Sequence, residues 1–176
     1  MEKQHVAHQT YRMHLRGKEK HFWKCNFGIS KLADIPLEIS GYKSIDSEID
    51  DQFLLYLTSR VPIIHGIYLK FTNITDEGVK HISTVTALFE LTLRDHKNIT
   101  NECLPYLNRL TDLEYLDILK TKITLEELPA LSQLQKLKEL HISSESTDEE
   151  YLLGKVIAMK KILPSCIIYI NYKSYE

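Results

Sequence analysis

The sequence predicts an α/β fold of stacked repeats, with short parallel strands on one side and helical turns on the other. Three observations predict it. An apolar pattern restarts at Ile64, Leu88, Leu113 and Leu137, in steps of 24, 25 and 24 residues. Inside each unit the apolar period changes from two to three. A threonine stands at each junction between the halves: Thr75, Thr100, Thr124 and Thr147. A fixed period of this length belongs to architectures whose units bury their apolar face only by stacking.

The elements follow in chain order. Tyr11–Leu15 and His21–Cys25 flank a segment containing Gly17, and their alternation predicts a hairpin that shields the first strand edge. Leu37-Glu38-Ile39 reads as a divergent strand. A helix is expected from Ser47 to about Arg60, with Ile49, Phe53, Leu54 and Leu57 inward. In the repeats, Leu91 and Leu93 alternate with Glu90, Thr92 and Arg94, the period of a half-buried strand. Leu104, Leu107 and Leu110 then recur in steps of three, which suits a helix or a tighter helical turn. The junction threonines are expected to cap helix starts, and Thr124/Glu127 and Thr147/Glu150 have capping-box spacing. The acidic pairs beside them, such as Asp76-Glu77, complement the helix dipole and read as helix starts, not as acid/base catalysts. A last helix is expected from Thr147 to about Leu163, with Leu152, Leu153, Val156, Ile157 and Ile162 as its apolar stripe and Pro164 as its stop. Ile167–Tyr172 closes the array as a strand. The organisation is thus 1–32 as a basic segment and hairpin cap, 33–63 as a divergent first repeat, 64–143 as the repeats, and 144–176 as the C-terminal cap.

The totals narrow the function. The chain has 176 residues, 43% of them hydrophobic, and a net charge of -2, which is no signature of a dedicated nucleic-acid binder. No apolar run approaches a membrane span, and no signal peptide is visible after Met1. The three cysteines, Cys25, Cys103 and Cys166, are far apart and suit reduced thiols in the cytoplasm. Asn73-Ile74-Thr75 and Asn98-Ile99-Thr100 match a glycosylation pattern, but their isoleucines read as core and their threonines as caps. Phosphate-loop, dinucleotide-loop, nucleophile-elbow and His-Glu-x-x-His patterns are absent. No cofactor is expected. An alternative reading uses the N-terminal segment: His5, His8, His14, His21 and Cys25 as zinc ligands, or Lys3, Arg12, Arg16, Lys18, Lys20, Lys24 and Lys31 with Tyr11, Phe22 and Trp23 against nucleic acid.

Residues 64–143 resemble the leucine-rich-repeat pattern Leu-x-x-Leu-x-Leu. Ile74-Thr75-Asp76-Glu77-Gly78-Val79 is similar to the Ile-Thr-Asp-x-Gly-Leu stretch of its cysteine-containing and bacterial subtypes, and Leu163–Ile168 to a closing segment. The asparagine of that pattern is missing; Thr72, the His96-Lys97 region and Thr121 stand near its place. The resemblance implies a solenoid with a concave parallel sheet and convex helices, a non-catalytic interaction module, and no catalytic residues. By the pleat rule, residues alternating with the buried Leu and Ile face outward. The expected protein-docking set is Tyr68, Lys70, Glu90, Thr92, Arg94, Tyr115, Asp117, Leu119, Glu139 and His141, with Ser143 beyond it. Tyr and Arg are favoured anchors in such surfaces. The expected function is an adaptor, regulator or inhibitor that binds a protein partner.

Overall fold

A computed structural model describes residues 17–175. The chain divides into two compact units between Leu37 and Glu38. In the first, residues 17–27 form a helix, α1. Here the hairpin expectation fails for its second half. His21–Cys25 is helical, because Trp23 and Phe27 are four apart and bring their rings within 4.8 Å, with Phe22 5.3 Å from Trp23. Lysine and glutamate around them favour helix. Gly17 lies in the helix and makes no turn, while Gly28, at φ +70°, ends it. Tyr11–Leu15 lies outside the described residues.

The second unit is mixed α/β. A two-stranded parallel pair joins β1 (Glu38–Ile39) to β3 (Ile63–Ile64). The main sheet has seven strands in the order β2 (Tyr42–Ile45), β4 (Gly66–Lys70), β5 (Glu90–Arg94), β6 (Tyr115–Asp117), β7 (Glu139–Ile142), β8 (Ile167–Ile170) and β9 (Lys173–Tyr175). All neighbours are parallel except β8 and β9, which form a hairpin. The register places the apolar repeat positions side by side: Ile67, Leu91, Leu116, Leu140 and Ile168 form one buried row. Each such side chain contributes about 1.5–3 kcal/mol when fully buried.

The helical segments are α2 (Asp51–Thr58), α3 (Asp76–Ile82), α4 (Leu104–Leu107) after a 3₁₀ turn, a 3₁₀ turn at Leu128–Leu131, and α5 (Glu149–Lys160). They pack on one another in chain order. The segments with prolines early in the helical turn, Pro105 and Pro129, are only four residues each, as the three-residue apolar steps foreshadow. α2 is shorter than expected and is capped by Asp50, which accepts from the Phe53 N–H at 2.9 Å. Asp148, not Thr147, caps α5. Its inward residues are Leu152, Val156 and Met159, followed by buried Leu163 beyond its end; Leu153 and Ile157 are half exposed, so the expected stripe is narrower and turned toward Met159.

Thr75 and Thr100 cap their helical segments as expected, accepting from Glu77 and Glu102 N–H groups. They also do something the sequence did not disclose. Asp51 accepts from the Thr75 N–H and Oγ1–H at 2.8 and 2.7 Å. One repeat later, Asp76 binds Thr100 with the same two distances, 2.8 and 2.7 Å. Next, Asn101 accepts from the Thr124 N–H at 3.0 Å and donates to its Oγ1 at 3.3 Å. The residue after each cap therefore clasps the cap threonine of the following repeat. Leu125 holds this place after Thr124, and the expected Thr124/Glu127 box is not made: the Glu127 N–H donates to the Thr124 carbonyl at 3.3 Å, and the 3₁₀ turn starts only at Leu128.

A second repeated device turns the chain after the strands. Asp46, Phe71, Asp95 and Lys120 have φ between 51° and 62° although none is glycine. Where the resemblance leads one to expect asparagine, Thr72 donates its N–H to His96 Nε2 at 3.2 Å, and its hydroxyl lies 2.8 Å from the same atom. Because Nε2 accepts, the neutral imidazole carries its proton on Nδ1. Burial holds the His96 pKa below its ordinary value.

Candidate functional site

The polar face of the sheet is built from the residues that alternate with the buried rows. Its central row runs Lys43, Tyr68, Thr92, Asp117, His141 and Tyr169, each paired in register with the next. A flanking row runs Gly66, Glu90, Tyr115, Glu139 and Ile167. Toward the strand C-terminal ends, Ile45, Lys70 and Arg94 pair side by side. Expected residues Tyr68, Lys70, Glu90, Arg94, Tyr115, Glu139 and His141 are at least partly accessible.

Three of the expected docking residues are not. Thr92 is 5% exposed, and Asp117 and Leu119 are 1% exposed. Thr92 is boxed between the longer side chains of Tyr68 and Asp117. Asp117 is the structural hub. Its Oδ2 accepts from Arg94 Nε at 2.9 Å and also from Arg94 Nη2. Its Oδ1 accepts from the Leu119 N–H at 3.0 Å. That last bond turns the chain just after β6, so Leu119 has left the strand before alternation can place it outward. Arg94 is consequently half spoken for: it neutralises a buried carboxylate as well as facing outward.

Aromatic rings cover much of the remaining face. His141 stacks on Tyr169 with centroids 4.2 Å apart and planes 2° from parallel. Tyr115 lies 5.2 Å from the same imidazole. Lys43 Nζ sits 4.8 Å above the Tyr68 ring, and the Arg94 guanidinium 5.8 Å from the Tyr172 ring. Burial, with the Asp117 carboxylate nearby, pushes the Tyr115 phenol up to about 12, so it remains a neutral donor at physiological pH. A shallow notch of about 320 Å³ opens where Gly41 and Gly66 place no side chain; Tyr68 and Glu90 help to wall it. Charge on this face is divided: Lys43, Lys70 and Arg94 lie on one side, Glu90 and Glu139 on the other.

Sequence reasoning missed Lys43, Tyr169 and Tyr172. Stepping the 25-residue offset back from Tyr68 reaches Lys43 and would have found β2. The alternation Ile168, Tyr169, Ile170 already placed Tyr169 outward. Tyr172 had no such signal, because it reaches Arg94 only through the β8–β9 turn, where Asn171 and Tyr172 both adopt positive φ. Of the N-terminal alternative, His21 and Cys25 share α1, with Cys25 Sγ 3.5 Å from His21 Nε2. His5, His8 and His14, like Lys3, Arg12, Arg16 and Tyr11, lie outside the described residues. Among the described residues no group of three or more His, Cys, Asp or Glu is placed to hold a metal ion. No described helix is long and apolar enough to cross a membrane.

Compared with protein-family models and with curated proteins, the chain matches none.

Proposed function

We propose that the chain is a leucine-rich-repeat solenoid and works as a non-catalytic module, an adaptor, regulator or inhibitor, that binds a protein partner on the polar face of its sheet. One observation carries this reading: Lys43, Tyr68, His141 and Tyr169 share one register row, with Tyr115 in the row beside it, on a face that the leucine rows do not use. Rigid, amphipathic tyrosines on strands give a large contact area at little cost in conformational entropy. The divided charge would set the partner's orientation. Three free cysteines, two of them buried, accord with the cytoplasm.

The test replaces Tyr68, Tyr115 and Tyr169 together by alanine. Arg94 is left intact, because its removal would strip Asp117 of its counter-charge. A control variant carries Leu153→Ser and Ile157→Ser on the exposed side of α5. Each full-length protein is immobilised, and proteins captured from native lysate are compared by mass spectrometry alongside melting curves. The expected result is a partner retained by the wild type and the control and lost by a face variant that still melts cooperatively. Identical capture by all three would refute docking on this face.

A further inference from the structure

We infer a second binding site, for a small organic phosphate, in the cleft beyond the C-terminal ends of β5, β6 and β7. The cleft has a volume of about 810 Å³, within the range of small-molecule sites. It is separate from the tyrosine surface, and its walls come from the turns that follow the strands. Three lysines, Lys97, Lys120 and Lys122, and three carboxylates line it, and two of the carboxylates are already paired with cations. Lys97 and Lys122 make no ion pair among the described residues.

Hydroxyls that line the cleft add further donors. Ser143 Oγ accepts from the Lys120 N–H at 3.0 Å, and Ser144 Oγ from the Ser146 N–H at 3.1 Å. Ser146 Oγ accepts from the Asp148 N–H at 3.2 Å, and Thr124 Oγ1 from Asn101 Nδ2 at 3.3 Å. A hydroxyl that accepts still has its own proton to donate. These four protons have no protein acceptor among the described residues. Thr121 differs: it donates to the Ile118 carbonyl at 2.9 Å and is already used. The cleft therefore offers ammonium and hydroxyl donors together.

Lys70 and Lys155, just outside the lining, help to hold two of the three carboxylates of the cleft. Asp95 lies between Lys120 and Lys70, 3.4 and 3.7 Å away, a net positive trio. Glu126 is held by Lys155 at 3.5 Å and by the Tyr151 hydroxyl. Only Glu145 lines the cleft without a cation partner among the described residues. A phosphate group concentrates several acceptor oxygens and negative charge on one atom, which suits donors clustered in this way. Phe71, half exposed at the rim, offers a ring to the organic part of such a ligand.

The experiment titrates the full-length protein with inorganic pyrophosphate, ribose 5-phosphate and ribose, following amide shifts by NMR in low salt. A pentaglutamate peptide is titrated in parallel. Either phosphate probe is expected to saturate with a dissociation constant below about 1 mM, shifting the amides of Lys97, Lys122 and Ser143, while ribose does not bind. Saturation by ribose 5-phosphate alone would identify a sugar phosphate; saturation by both would place recognition in the phosphate. Lys97→Gln with Lys122→Gln should weaken binding at least about tenfold. Glu145→Gln should tighten it about two- to threefold. No saturable shift with either phosphate, shifts spread over the surface, or equal affinity in the double lysine variant would overturn the assignment. Tighter binding of pentaglutamate than of the phosphates would overturn it too, making the cleft a dock for an acidic protein segment.

Discussion

Replacing Gly78 by alanine tests the inter-repeat clasp directly. Gly78 sits inside α3, where alanine ordinarily stabilises by about 1 kcal/mol. Here a Cβ collides with Asp51 Oδ1 and stands 3.0 Å from Leu54 Cδ1 and 3.3 Å from Ile74 Cβ. Leu54 is buried and cannot swing away. The methyl group must therefore displace the Asp51 carboxylate or push α2 from α3. Displacing the carboxylate loses its two bonds to Thr75, about 1 kcal/mol each after discounting for partial exposure. Overpacking adds about 1–3 kcal/mol. Less the gain in helix propensity, the net cost is about 2–4 kcal/mol. That is about 4–16 °C in Tm for a chain of this size. Urea denaturation followed by circular dichroism should show a lower midpoint with unchanged slope. Gly154→Ala is the control. Gly154 also lies inside a helix, α5, but a Cβ there has nothing within 4 Å, so the same substitution should stabilise by about 0.5–1 kcal/mol. In a double-mutant cycle, Asp51→Ala should absorb most of the Gly78→Ala cost. A Gly78→Ala protein as stable as wild type, or costs that simply add, would refute the clasp.

Other perturbations follow from the same geometry. Arg94→Met should destabilise by about 3 kcal/mol, because it abandons a buried carboxylate, and adding Asp117→Leu should recover a large part in chemical denaturation; a near-neutral single variant would show that Asp117 does not depend on Arg94. Iodoacetamide at neutral pH should label exposed Cys25 and spare Cys103 and Cys166; burial pushes the Cys166 thiol up to about 12 and that of Cys103 upward as well, so early labelling of Cys103 by mass spectrometry would contradict the packing. His96 is held neutral by burial, so below an ordinary histidine pKa of about 6.5 the unfolded chain binds the proton first. Its contribution is complete above that pH and is lost as pH falls toward its lowered folded value. His96→Asn should flatten the stability curve of the wild type across that window, and parallel curves would exclude the histidine.

The resemblance marked the place of an asparagine but not what replaces it. Thr72 meets His96 through both its N–H and its hydroxyl, a relation visible only when residues 24 apart are brought together. Gly78 shows the same limit. Its motif was legible, yet the reason for glycine is a carboxylate on another helix. Asp117 was placed outward by alternation. It is buried because a side chain 23 positions earlier neutralises it, which no local rule can express. α1 differs in the opposite direction: weak alternation suggests a strand, while the four-residue spacing of Trp23 and Phe27 suits the helix that forms.

Periodicity alone determined which leucines share a row and that the strands run parallel, because burial repeats wherever the chain must cover the same kind of surface. Tertiary structure decided which polar residues are structural and which remain free. A carboxylate or hydroxyl is committed only by the partner that folding delivers to it, and those partners lie a full repeat away in the chain.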